Sequence, residues 1–487
     1  MKTMHYKTFA LSVTAFFFLV SYNSSIAQQS TWSTIHNIFQ GSCAGSSCHS
    51  NSAPHPLKLV DTETIVYSNL IDIVPTNTDA ASGGQKLVDP GHPHSSFLLK
   101  KVNNGLDSDN DLANGEGAPM PFYSSPLENW EIDLINTWIL HGAPYNGTVV
   151  DTQLIQDFHS GMGKIEMNPL TPPDPNDGFQ IHLGPVFLAP NDEIEYRVKH
   201  DLSNLPDSVE VTRLESKINI ESHHYIMYKF KDQSSANGED EGLREVGFAE
   251  AFISGTSMIS AWQNSSDVVL PENTAFFWEG NSTLDLNLHI RNYDQDSILK
   301  AHVYTNVYTQ PIQTETVEMQ SDILIYSAMP IAFIPCALND FCIPNDGQVH
   351  TFTGPMTGNT GSASPADPIF SDASDTDSLY LFMLGSHTHK FGTDFDIFYR
   401  NPDGSKGDKV YEGFYNFDYS FNQGYYDFED PAVRYFEMGD EVIYGGDGLI
   451  QEATFVNDSS VDVGFGLTTD DEMMLTYIQY TTERPAP

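Results

Sequence analysis

Basic residues are scarce in this 487-residue chain, where 22 lysines and arginines stand against 66 aspartates and glutamates for a formal charge of -44. So acidic a surface repels phosphate backbones and anionic headgroups, which excludes nucleic acid and acidic membrane surfaces as partners. The same charge favours solubility, including in a salty medium. Cysteine is scarcer still. Four in a chain of this length are too few for a disulfide-built scaffold, and they fall as two close pairs, Cys43 with Cys48 and Cys336 with Cys342. Long apolar runs are missing beyond residue 27, so no transmembrane segment is expected. The apolar run from Phe9 to Val20 follows Lys2 and Lys7 and precedes Ser25-Ile26-Ala27. That is the layout of a secretory signal cleaved after Ala27, and it predicts an exported protein, periplasmic or extracellular.

What is present is enough to build cores: 40% of the residues are apolar, and the length suits about three domains. We divide the chain into a signal at 1–27, a helical module at 30–147, a connector at 148–175 carrying Pro169, Pro172, Pro173 and Pro175, and two β-rich units at 176–312 and 313–483. From about Gly178 onward short alternating runs rich in Tyr, Phe and Val are separated by Asn, Asp, Gly and Pro, the pattern of β-sandwiches. The stretch is too long for one sandwich, so two are expected.

In the first module Cys43, Cys48 and His49 fall in the run GSCAGSSCHS. Two cysteines followed at once by a histidine form the attachment signature of c-type haem, although four residues separate the cysteines here where two are usual. A plain disulfide between Cys43 and Cys48 is the other reading. Further on, Gly117-Ala118-Pro119-Met120-Pro121 leads to a helix signalled by Ser125 as N-cap, Pro126 at its first position and Glu128 as the capping-box acid. Trp130, Leu134, Ile135 and Trp138 share its apolar face, and His141-Gly142 ends it. Asp107 to Asp111 begins like a calcium loop, but Leu112 stands where the turn needs glycine, so we read a solvated acidic loop. Together these pieces resemble the small cytochrome c domains at the front of exported bacterial proteins. The resemblance implies a c-type haem on Cys43 and Cys48, with His49 as the proximal ligand and Met120 as the distal one. His92 and His94 remain alternative sixth ligands.

Three clusters of imidazole or thioether residues punctuate the β-rich part. His387 and His389 lie two apart in GSHTHKFG, ahead of the alternating Phe395, Ile397 and Tyr399, so the segment reads as a strand with both imidazoles on one face. His223 and His224 are adjacent. Neighbours on a regular strand face opposite ways, so both reach one ion only if the strand is bulged or ending there. Leu284, Leu286 and Leu288 take one strand face and leave His289 on the other with Asp285 and Asn287. Asp471-Glu472-Met473-Met474 precedes a final aromatic strand that contains Tyr477. Imidazole suits copper, zinc, iron and nickel alike, so the histidines alone do not name the ion.

In order and context these clusters, with a Gly439-Asp440 turn, resemble the copper type II, ascorbate-dependent monooxygenases, the family of peptidylglycine α-hydroxylating monooxygenase and dopamine β-monooxygenase. The resemblance implies two jelly-roll-like sandwiches holding one copper each, and with the front module a multidomain fold of a small all-α cytochrome c-like domain followed by two all-β units. It implies that His223, His224 and His289 hold an electron-transfer copper. His387, His389 and Met473 would hold an oxygen-activating one, with Tyr477 on the substrate side. The implied activity hydroxylates a C–H bond of a small organic substrate with O2, drawing electrons from an ascorbate-like reductant or a periplasmic redox protein. Gly385 stands where the amidating enzymes carry a carboxylate-gripping arginine, and Leu475 where they carry an asparagine, so a glycine-extended peptide is not the expected substrate. Cys336 and Cys342 are placed to close one short loop. The competing reading is a non-catalytic exported copper or haem redox protein.

Overall fold

The structure is a computed structural model and describes residues 29–486 apart from 46–47, 54, 123, 203–204, 206–207, 248–254, 327–335, 359–377, 414–425 and 445–446. The signal sequence read at 1–27 lies outside the described residues. Among those described, no helix is long and apolar enough to cross a membrane. The molecule is mostly β-sheet, with most of its described helices at the front and a short one, Gln233–Asn237, among the strands.

Two 12-residue helices, Thr31–Ser42 and Asn129–Leu140, frame the front part. Their apolar faces meet where Trp32 and Trp138 stack with ring centroids 5.3 Å apart. The second helix starts later than its sequence suggests. Glu128 is the N-cap, and its amide donates to the Glu131 carboxylate at 2.9 Å. This Glu-to-Glu capping box leaves Ser125 and Pro126 outside the helix. The stretch read as a connector also holds a helix, Thr152–Asp157, whose Asp151 side chain caps it and whose Ile155 is buried in the same core as Trp32.

Two sheets follow and enclose one core. In the six-stranded sheet Leu299–Pro311 lies between Gly178–Leu188 and Val209–Ile218; in the five-stranded sheet Thr283–Arg291 lies between Glu193–Asp201 and Ser222–Phe230. Leu183, Val211 and Val303 from the first meet Val198, Met227 and Leu286 from the second. A nine-stranded antiparallel sheet carries the rest, with Leu475–Thr481 between Gln320–Tyr326 and Ser378–His387. Its core gathers Leu384, Phe395, Ile397 and Phe455, and a disulfide joins Cys336 to Cys342 beside it.

The front part docks closely on the first pair of sheets. The Leu243 amide donates to the Leu140 carbonyl at 2.9 Å, and a Cβ on Gly242 would stand 2.3 Å from the Gly142 amide nitrogen. Only glycine permits that approach. Nearby, Lys300 and Asp133 form an ion pair at 3.0 Å with both side chains buried.

Candidate metal centre

The adjacent histidines point the same way because the strand is irregular where they sit. Between Ser222–Phe230 and Thr283–Arg291 the pairing runs Ser222 to Ile290 and then His224 to His289, leaving His223 as the extra residue of a bulge. A bulge turns consecutive side chains to one side. His289 comes from the facing strand, on a polar face that is buried: Asp285, Asn287 and His289 are all at most 2% exposed. Asp285 is satisfied there by Arg197 and Arg244.

The His-Thr-His segment differs from a continuous strand. His387 is the last residue of Ser378–His387, and His389 lies in the turn that leads to Gly392–Arg400. The turn is closed by the Gly392 amide donating to the His389 carbonyl at 3.1 Å. A Cβ on Gly392 would stand 2.2 Å from the Thr388 hydroxyl oxygen, so that glycine is what lets the turn close.

These segments bring all five histidines into one buried cluster. The His223 ring lies 4.8 Å from His289, 4.9 Å from His387, 4.8 Å from His389 and 5.6 Å from His224, centroid to centroid. His224 lies 5.0 Å from His289 and 5.5 Å from His387. One ring nitrogen each from His223, His387 and His389 falls within a mutual 4.8 Å. The grouping thus crosses the two sets that sequence order suggests, with His223 standing as near to the second set as to His289.

Three of the rings are fixed by a second partner. Gln263 donates its amide to the Ser386 carbonyl at 2.9 Å, which turns its side-chain oxygen to accept the His387 Nδ1–H at 2.8 Å. The His389 Nδ1–H points to the Asp471 carbonyl at 3.3 Å, and the His289 Nε2–H donates to Glu193 at 2.8 Å. Burial alone would raise the Glu193 carboxyl, but hydrogen bonds from His289 and from the Thr469 hydroxyl and amide hold it down at about 2. The other ring nitrogen of each is left as a lone pair. His387 Nε2, His224 Nδ1 and both nitrogens of His223 are buried with no hydrogen bond. Burial, and then the neighbouring imidazoles, hold His223, His224 and His387 well below the ordinary histidine range and His389 at about 3. A buried set of imidazoles fits a transition ion such as copper or zinc far better than a hard, oxygen-seeking cation.

Met473 and Tyr477 line a cavity of about 60 Å³ together with His224 and His387. Leu475, Phe465 and Ile325 make part of its wall apolar, while Glu195, Arg197 and Asn287 bring polar groups. Tyr477 lies 5.8 Å from His387, ring to ring, and burial holds its hydroxyl protonated by raising it well above the usual tyrosine value. Gly385 pairs with Tyr477 in the sheet, and a Cβ there would make only ordinary contacts with Met383 and Val433.

The other predicted site also gathers. Cys43, Cys48, His49 and Met120 line one cavity of about 580 Å³ with Leu57, Leu59, Phe97 and Leu98. Cys43 and Cys48 are thiols; burial, then the nearby Cys48 and Glu131, push the Cys43 thiol up to about 11. The His49 Nδ1–H donates to the Leu57 carbonyl at 3.0 Å, leaving Nε2 as the basic nitrogen. Burial lowers this imidazole despite that hydrogen bond. His92 and His94 do not line the cavity. Sequence reading missed Gln263 and Glu193, which belong to no local motif; Asp471 lies in the segment that carries Met473, but its part as the partner of His389 is played by a backbone carbonyl that no motif marks.

No family model matches the chain, and no curated protein matches its sequence.

Proposed function

We propose that this is an exported copper monooxygenase that hydroxylates a C–H bond of a small organic substrate, with a c-type haem in its front module relaying electrons. The observation that carries the reading is the convergence of five buried imidazoles, three of which (His223, His224 and His387) keep ring nitrogens without a hydrogen bond, beside a cavity lined by Met473 and Tyr477. His223, His224, His289, His387 and His389 are the residues to hold copper, two ions on the resemblance described above, with Met473 as the thioether that favours the cuprous state. Bound copper supplies the one-electron chemistry that lets O2 deliver one oxygen atom to substrate and one to water.

The chain's own groups do the positioning. Gln263, Glu193 and the Asp471 carbonyl hold three imidazoles in the tautomer that offers a lone pair inward. Tyr477 presents a neutral hydroxyl to the cavity. Arg197 stays charged between Asp285, at 3.0 Å, and the Tyr228 ring, 4.5 Å from its guanidinium carbon. Arg197, Tyr228 and Ile323 also line a groove of about 330 Å³, and this groove is the approach we assign to substrate.

For the haem, the fit rests on the cavity: its volume and apolar wall suit a prosthetic group, and His49 is held with its basic nitrogen available. The test is a metal and haem count with an optical spectrum on the purified protein, followed by oxygen uptake with a reductant. Met473→Leu is expected to abolish oxygen uptake while most of the bound copper remains. Copper that is bound without any reductant-dependent oxygen uptake in the parent protein supports the non-catalytic reading instead, and zinc in place of copper sinks both.

A further inference from the structure

The Asp107 to Asp111 segment is not the solvated loop its sequence suggests. Asn110 is fully buried, and Asp109 lies 3.0 Å from Nδ1 of His182 on Gly178–Leu188. The front part and the six-stranded sheet therefore meet through a group of imidazoles and carboxylates. We propose that His94, Asp107 and His182, with Asp109 at their edge, form a separate site for a divalent transition ion of the zinc class, clamping the helical module onto the first pair of sheets.

Ligand geometry is the first support. One ligand atom each from His94, Asp107 and His182 lies within a mutual 4.8 Å. Zinc bonds of about 2.0–2.2 Å set ligand atoms roughly 3.5 Å apart, so the group closes by about an ångström. Orphaned polarity is the second. Both ring nitrogens of His94 are buried without an aligned hydrogen bond. His182 Nδ1 and Asp109 Oδ2, though 3.0 Å apart, are both buried and not aligned as donor and acceptor. Two lone pairs that near each other and misaligned suit a shared cation between them.

The surroundings fix the ligands as a built site requires. His182 Nε2 lies 2.9 Å from His302 Nδ1, so a proton on Nε2 leaves Nδ1 facing His94 and the aspartates. The His182 ring is stacked on Tyr304 with centroids 4.2 Å apart and packs 4.8 Å from His94. Two aspartates offset the charge of a divalent ion, and the nearby Lys300 is already paired with Asp133 and Glu166. Two imidazoles with carboxylate favour zinc over calcium or magnesium, which take oxygen ligands. The other acidic group, Asp394, Asp396 and Glu412, already holds the Lys409 ammonium.

The test uses full-length protein, stripped with chelator, dialysed against zinc chloride and counted for bound zinc. His94→Gln and Asp107→Asn are each expected to bind one equivalent less than the parent. His223→Ala, which lies in the five-histidine cluster away from His94 and His182, is expected to keep that equivalent, so the result stands apart from the fate of the copper reading. Equal zinc counts in His94→Gln, Asp107→Asn and the parent overturn the proposal. If the variants do not fold, anomalous diffraction at the zinc edge from zinc-soaked parent crystals decides. A peak between His94 and His182 is expected, and peaks elsewhere with none there overturn it.

Discussion

The five-histidine cluster and the Cys43–Met120 cavity are each built from short motifs brought together from distant parts of the chain, yet they are made in opposite ways. The cluster is almost solid: its rings touch, and the space beside them is about 60 Å³. The front cavity is mostly room, about 580 Å³ behind an apolar wall. An ion draws its binding energy from donor atoms, so its site is recognised by nitrogens left without hydrogen bonds. A large planar cofactor draws much of its energy from buried apolar contact, so its site is recognised by volume. The two regions also differ in who holds the ligands. In the cluster the fixing partners include distant side chains, Gln263 and Glu193, whereas His49 is fixed by the carbonyl of Leu57, eight residues away in its own loop.

The contrast breaks most sharply under a pair of ligand deletions. His223→Ala is expected to remove copper from the cluster and lower oxygen uptake more than a hundredfold, beyond the roughly 10–100-fold typical for losing an outer partner. Cys43→Ser with Cys48→Ser is expected to abolish covalent haem, read on a denaturing gel. It leaves copper content and uptake driven by a small reductant unchanged. If the double variant loses copper as well, the two regions are one folding unit and the comparison fails. A milder break is Gln263→Leu, which takes away the acceptor for His387 Nδ1–H and lets that ring adopt the wrong tautomer. Copper affinity, measured by competition with a chelator, is expected to fall about 10–100-fold with haem content untouched.

Much of this was legible in the sequence, and what was not has a physical reason. The alternation through Leu284, Leu286 and Leu288 marks a strand, and all three side chains are buried. The apolar face of Leu134, Ile135 and Trp138 marks a helix with the same outcome. His223 with His224 and His387 with His389 stood out as candidate ligands because of their spacing. Their convergence into one cluster did not, since it depends on a bulge at His223 and on the packing of separate sheets. Helix onset was misplaced because Glu131 outcompetes the local Ser-Pro signal as capping partner. The acidic loop at Asp107 was misread because nothing local announces the His182 surface it meets. Gln263 and Glu193 carry no motif at all; only the tertiary register assigns them.

The smallest effect is a pH dependence, and it separates the two regions chiefly by burial. His389 ionises near 6.5 in an unfolded chain but at about 3 in the fold, because burial, then His289 nearby, outweigh its bond to the Asp471 carbonyl. Its folded value is depressed, so below pH 6.5 the unfolded chain takes up a proton that the native protein refuses. Stability is complete above pH 6.5 and is lost as pH falls toward 3, at about 1.4 kcal/mol per unit for each such imidazole. His223, His224 and His387 shift in the same direction. Urea unfolding of chelator-stripped protein between pH 4 and 7 is therefore expected to show a steep slope, which His389→Gln flattens by about one proton's worth. His49 is also lowered but is only partly buried, so His49→Gln is expected to flatten the slope less. Equal flattening by the two substitutions would mean that the cluster is no drier than the front cavity, and the donor-against-volume distinction would not stand.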